Sequence, residues 1–283
     1  MILKTHLNLF TENNVLSKLD DLIQINDPIR KQNFLGSLSY TLEFYNEHYN
    51  LNKIYNVNSF EPIALIHHYI ENGLLDEAYW LFFLIEVIGF HPKSKWKLLS
   101  TIYFNHSQTP YLTWKNVNEN VNIGEYLIEK LENSKGLYLG RYYKYPIFNQ
   151  HSASEISQLL STFILNVNTN HSFSNYILQL PTKYIREITS KHHFFYYRYY
   201  HRLQYVGLAN NEEFRFQLNS QLMIKKSLRH LFEDKKKFNI DTLHQVFNQL
   251  LEYMDMPLKE VLICDALIEY YNQYLFEPFQ KKF

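Results

Sequence analysis

Asp265 is the only charged residue in the stretch Val261-Leu-Ile-Cys-Asp-Ala-Leu-Ile268. An acid in so apolar a helix costs free energy unless it has a partner or a task, which makes Asp265 a candidate catalytic carboxylate. With Glu269 and Asn272 at i+4 and i+7, it could equally begin an exposed stripe. A second segment joins aromatic to cationic chemistry: His192-His-Phe-Phe-Tyr-Tyr-Arg-Tyr-Tyr-His-Arg-Leu-Gln-Tyr205. Read as a helix, it sets Tyr197, Tyr200 and His201 along one strip and Arg198, Arg202 and Tyr205 along the next. On an exposed surface, such rings can stack on an unpaired base while the guanidinium groups clamp the flanking phosphates. The same rings also serve as core filler in a chain with only five alanines.

Gly140-Arg-Tyr-Tyr-Lys-Tyr145 repeats the combination and is expected in a loop. The candidate base- and DNA-binding residues are therefore Arg141, Tyr142, Tyr143, Tyr145, Tyr197, Arg198, His201 and Arg202. Asp76 and Glu77 open a helix, where carboxylates also favour the N-terminus electrostatically. The adjacent pairs His67-His68 and His192-His193 point to different helix faces, and the single cysteine, Cys264, cannot build a thiolate cluster. No metal site is expected. Neither G-x-G-x-x-G nor G-x-x-x-x-G-K-[ST] occurs, so no nucleotide cofactor is expected.

The elements that must position these residues read as helices. Seven glycines and eight prolines in 283 residues are too few for the turns of a β-sandwich or barrel. Asp27-Pro28 reads as an N-cap with Pro at N1, followed by Leu35, Leu38, Leu42 and Tyr45 at helical spacing. Phe60-Glu61-Pro62 starts a helix closed by Gly73, and Leu75 to Gly89 forms its partner in an αα-hairpin. Ser152-Ala-Ser-Glu155 reads as a capping box. Asp241 to Met256 and Pro257 to Tyr274 complete the set, with loops near 105–122 and 134–150. The expectation is an all-α chain with a helical N-terminal lead over 1–55 and one continuous unit over 56–283.

Formal charge is zero, but its distribution is uneven. Residues 1–80 carry ten acids and five bases, whereas residues 183–237 carry twelve bases and five acids. One basic half in a neutral protein suits contact with phosphate. The longest apolar run, Ala78 to Ile85, is too short to span a membrane, and the N-terminus lacks a secretory pattern. The expected location is cytoplasmic, with no membrane partner and no required protein partner.

Gly73-Leu-Leu-Asp-Glu-Ala-Tyr-Trp-Leu-Phe-Phe-Leu84, with Gly89-Phe-His91 and Trp96 after it, resembles the α-glutamyl/putrescinyl thymine pyrophosphorylase family. Tyr103, Thr113-Trp114, Gly140 with Lys144-Tyr145, Gly207-Leu-Ala209 and Asp265-Ala-Leu267 follow in the family's order, so the resemblance covers roughly residues 60–274. It implies a DNA-glycosylase-like helical domain, hypermodified thymine bases of phage DNA, and a related excision of bulky modified bases. The chain departs from the family's pattern at Arg141-Tyr142-Tyr143, where a polar run is expected, and at Cys264, where an acid is expected. A glycosylase hairpin of the Leu-Pro-Gly-Val-Gly type is absent.

The resulting expectation is a DNA glycosylase that flips a bulky modified pyrimidine out of double-stranded phage DNA and leaves an abasic site. Breaking an N-glycosidic bond develops an oxocarbenium-like sugar, so a carboxylate is required; Asp265 leads and Asp76 follows. Lys144 would supply a Schiff-base nucleophile if its amine were neutral. The alternatives are a transferase that joins an amine or amino acid to an activated hydroxymethyl pyrimidine, and a DNA-binding module without chemistry.

Overall fold

Asp27 begins the first described helix as its sequence predicts: its Oδ1 accepts the backbone N–H groups of Ile29 at 2.9 Å and Arg30 at 3.1 Å, with Pro28 at the first helical position. The computed structural model describes residues 25, 27–49, 54–56, 59–91, 93–104, 109–119, 123–134, 136–140, 150–187, 190–210, 222–232, 240–252, 254 and 258–276. These residues form an all-α fold, and among them the only β pairing is two isolated bridges.

The chain divides into two compact units. The first comprises residues 1–50, 184–207 and 213–283. It contains α1 (Pro28–His48), α9 (Ser190–Tyr205), α10 (Leu222–Leu231), α11 (Ile240–Glu252), α12 (Lys259–Tyr270) and a π-helical turn (Tyr271–Phe276). The second comprises residues 51–183 and 208–212. It holds α2 (Pro62–Glu71), α3 (Leu75–Ile88), α4 (Lys97–Tyr103), α5 (Trp114–Glu119), α6 (Ile123–Asn133), α7 (Gln150–Thr169) and all but the last turn of α8 (Phe173–Glu187). This division differs from a separate lead followed by one continuous unit. The apolar stripe of α1 (Phe34, Leu38, Leu42, Tyr45) is buried, and α1 packs along α12, so it completes a core supplied by the C-terminal helices.

In the first unit, α12 is buried at every position from Val261 to Ile268, and α10 packs on it through Ser227, whose hydroxyl donates to the Leu267 carbonyl at 2.7 Å. In the second unit, α2 and α3 pack as the expected hairpin, with Gly73 at φ +73° in the connection. The core there is aromatic. Phe83 and Phe163 stack with centroids 3.5 Å apart, Trp80 lies 5.8 Å from Trp114, and the Trp80 indole N–H donates to the Leu112 carbonyl at 2.8 Å.

Two local expectations change. Helix α7 runs back to Gln150, so Ser152 lies inside the first turn as a buried residue rather than as a cap. The loop expected over 105–122 contains α5, whose first turn is held by a distant acid described below. Among the described residues, no helix is long and apolar enough to cross a membrane.

Candidate functional site

Asp265 lies in the middle of α12 with 1% of its surface exposed. Its Oδ2 accepts the Tyr45 hydroxyl of α1 at 2.9 Å and lies 3.4 Å from Arg198 Nη2 and 3.7 Å from Arg202 Nη2, both on α9. Arg202 also donates to the Tyr45 hydroxyl at 2.5 Å, and its guanidinium carbon sits 4.3 Å from the centroid of the Tyr49 ring. Tyr45 and Tyr49 stack at 4.8 Å. Three helices thus meet at one dehydrated carboxylate. Two buried guanidinium groups against one such acid form a network in which every charge depends on the others.

The local chemistry agrees. Burial raises the Tyr45 phenol above its ordinary range, against the opposing influence of Arg202, so it remains a neutral donor. Burial works against the Arg202 cation, but Tyr45, Tyr49 and Asp265 outweigh it. Burial likewise pushes up Cys264, helped by Asp265 and Glu260, so this cysteine is an inert thiol. The Tyr197 hydroxyl donates to Glu260 Oε2, and burial raises that phenol well above its usual value.

The exposed aromatic and guanidinium surface expected on residues 192–205 is therefore corrected. Tyr196, Tyr197, Tyr199 and Tyr200 are core residues, Arg198 and Arg202 are 3% and 1% exposed, and only His201 of the proposed set is half-buried, its ring against Tyr197. The physical reason is Asp265 itself, since a dehydrated carboxylate costs several kcal/mol unless cations turn inward to meet it.

The second unit holds a separate constellation. Gly89 and Gly140 touch backbone to backbone: the Gly140 N–H donates to the Ile88 carbonyl at 2.9 Å, and a Cβ on Gly89 would fall 2.7 Å from Gly140 Cα. Only two glycines can cross this closely. One turn earlier on α3 lies Glu86, 3% exposed, in a helix otherwise buried with apolar residues from Ala78 to Ile88. Sequence reasoning passed over Glu86, although the signal that singled out Asp265, a lone acid in an apolar helix, was present there too. Arg141, Tyr142, Tyr143, Lys144 and Tyr145 lie outside the described residues.

The two acids that open α3 separate in role. Glu77 accepts the backbone N–H groups of Trp114 at 2.8 Å and Lys115 at 3.1 Å, and so caps α5 from 37 positions away. Asp76 is exposed, and partial desolvation raises its carboxyl above the ordinary value. Among the described residues, no group of three or more His, Cys, Asp or Glu side chains is arranged to hold a metal ion.

A family model described as alpha-glutamyl/putrescinyl thymine pyrophosphorylase clade 3 matches residues 18–270. No curated protein and no solved structure matches. The match overturns base excision as the expected reaction, because the family is named for pyrophosphorylase chemistry on thymine rather than for hydrolysis of the glycosidic bond.

Proposed function

The chain belongs to the alpha-glutamyl/putrescinyl thymine pyrophosphorylase family, a family of enzymes, and from that membership we propose that it is a transferase building a hypermodified thymine in DNA. The observation that carries this reading is the family match, which takes in both units of the fold. The substrate is double-stranded DNA in which the pyrimidine 5-methyl carbon bears a pyrophosphate. The nucleophile is an amine of the kind the family's name records, glutamate or putrescine.

In the reaction, the amine nitrogen attacks the exocyclic methylene carbon. A C–N bond forms, the C–O bond to pyrophosphate breaks, and the ammonium proton passes to a base while pyrophosphate departs. The requirements are a base, cations for the leaving group and a platform for the pyrimidine. Glu86 is the base in this reading. Arg141 and Lys144 take the leaving pyrophosphate, and Tyr142, Tyr143 and Tyr145 supply the stacking surface, in a segment that begins directly after the fixed backbone of Gly140. Asp265, with Tyr45, Arg198 and Arg202, is a positioning group, since its carboxylate is engaged by a phenol and two guanidinium groups from neighbouring helices of its own unit.

The test is incubation of duplex DNA carrying a pyrophosphoryloxymethyl pyrimidine with glutamate or putrescine, followed by digestion to nucleosides and mass spectrometry. The expected product is an amine-bearing nucleoside retained in the DNA, with pyrophosphate in solution. A free base together with an abasic site, or an unchanged nucleoside, overturns the proposal.

A further inference from the structure

Lys93 and Lys95 stand in the short turn that joins α3 to α4 and Lys97 opens α4, all three exposed and, among the described residues, none in an ion pair. No acid occurs anywhere between Val87 and Asn118, so this stretch carries positive charge that its own sequence does not offset. Exposed lysines are usually mobile, but the backbone bearing these is fastened. The Lys95 N–H donates to the His91 carbonyl at 2.5 Å, and the His91 N–H returns to Lys95 at 3.3 Å. Lys95 itself adopts φ +50°, and the Lys93 N–H donates to His91 Nδ1 at 3.2 Å.

Side chains brace the turn as well. The His91 ring stacks on Tyr138 with centroids 4.5 Å apart and planes 14° from parallel, and the Ser94 hydroxyl donates to the Tyr138 carbonyl at 3.4 Å. Lys93 Nζ lies 5.5 Å from the centroid of the same ring. Tyr138 stands two residues before Gly140, and His91 two residues after Gly89, so the turn is attached at the glycine crossing that precedes Arg141 to Tyr145.

We propose that Lys93 and Lys95 of this turn, with Lys97 at the start of α4, form a sequence-independent contact surface for the phosphate backbone of DNA. Three unneutralised ammonium groups on a fixed frame suit a polyanion with regularly spaced charges, and no base-reading amide or guanidinium side chain lies among residues 91–97. The proposal rests on the reading that DNA is the substrate, and it moves the phosphate contact away from Arg198 and Arg202, which are buried on Asp265.

The test is binding to a short unmodified DNA duplex across a salt series, read by fluorescence anisotropy on the full-length protein. Replacing all three lysines with Gln keeps the side-chain stems and should reduce the slope of log affinity against log salt by about two to three units, with each single substitution contributing about one. Replacing all three with Arg should retain the wild-type slope. A triple Gln protein with the wild-type slope and affinity overturns the surface, even if amine adducts still form. A lost slope with no adduct in the transfer assay leaves the surface standing and removes the proposed reaction instead.

Discussion

Tyr45 and Asp265 are separated by 220 positions and joined by one hydrogen bond of 2.9 Å, in which the phenol donates to the carboxylate while accepting from Arg202. The phenol thereby connects α1 to α12.

Tyr45→Phe removes that donor and leaves Asp265 and Arg202 one partner short in a buried site. The expected cost is about 1–3 kcal/mol of unfolding free energy. Urea denaturation measures it, and a midpoint equal to the wild type would mean that the hydroxyl contributes nothing.

Asp265→Asn strands two buried cations and is expected to cost about 3–5 kcal/mol. Joint replacement of Asp265, Arg198 and Arg202 with apolar residues of similar volume should recover most of that loss, since no unpaired charge remains. If Asp265→Asn instead folds with wild-type stability and loses transfer activity, the carboxylate acts on substrate and the positioning role is wrong.

The glycines separate two kinds of strain. Gly73 has φ +73° and open space around it, so Gly73→Ala should cost about 1 kcal/mol from backbone conformation alone. Gly140 lacks a positive φ, but an added Cβ there would sit 2.6 Å from Gly89 Cα, backbone against backbone. Gly140→Ala should therefore cost more than Gly73→Ala, and thermal melts that rank them in the opposite order would contradict the close crossing.

Alkaline pH should unfold the protein in a defined window. Burial pushes Tyr69 up to about 12, against a hydrogen bond to Tyr103, and burial also brings Tyr270 to about 12. The folded chain holds these protons to higher pH than the unfolded chain, whose phenols titrate near 10. Their contribution is thus fully present below about pH 10 and is lost as the pH rises from 10 towards 12, by up to roughly 2 kcal/mol for each phenol. Melting temperature followed from neutral pH upward should stay level and then fall across that window; a decline already complete by pH 9 would rule these phenols out as the cause.

Glu86→Gln tests the proposed base. A drop in transfer rate of about a hundredfold or more is expected with duplex binding unchanged, because the proton moves only in the transition state. Higher pH, which deprotonates the amine without a protein base, should restore part of the lost rate, whereas a folded Glu86→Gln protein with the wild-type rate would count against Glu86.

Much of the helix order was legible because its signals are local. Asp27-Pro28 fixes the start of α1 through its own side chain, and Gly73 ends α2 through its own φ. The orientation of α9 was not legible in the same way. Residues 194–200 are aromatic on almost every face, so periodicity cannot say which strip is buried, and the answer depends on an acid 63 positions beyond Arg202. The α5 helix was missed for a related reason: its first turn is satisfied by Glu77, which no reading of residues 105–122 alone reveals. Glu86 differs, since its signal was visible, but the apolar run around it read as core and drew attention away from the single acid inside it.

The discontinuous make-up of the first unit bears on how the chain comes off the ribosome. Residues 51–183 form nearly all of the second unit and can gather while synthesis continues. Helix α1 emerges earlier, yet the partner that buries Phe34, Leu38 and Leu42 is α12, which is translated more than 200 residues later. Helix α1 must therefore wait through most of elongation with its apolar stripe uncovered, which makes the nascent chain a natural client for a holding chaperone until α12 arrives.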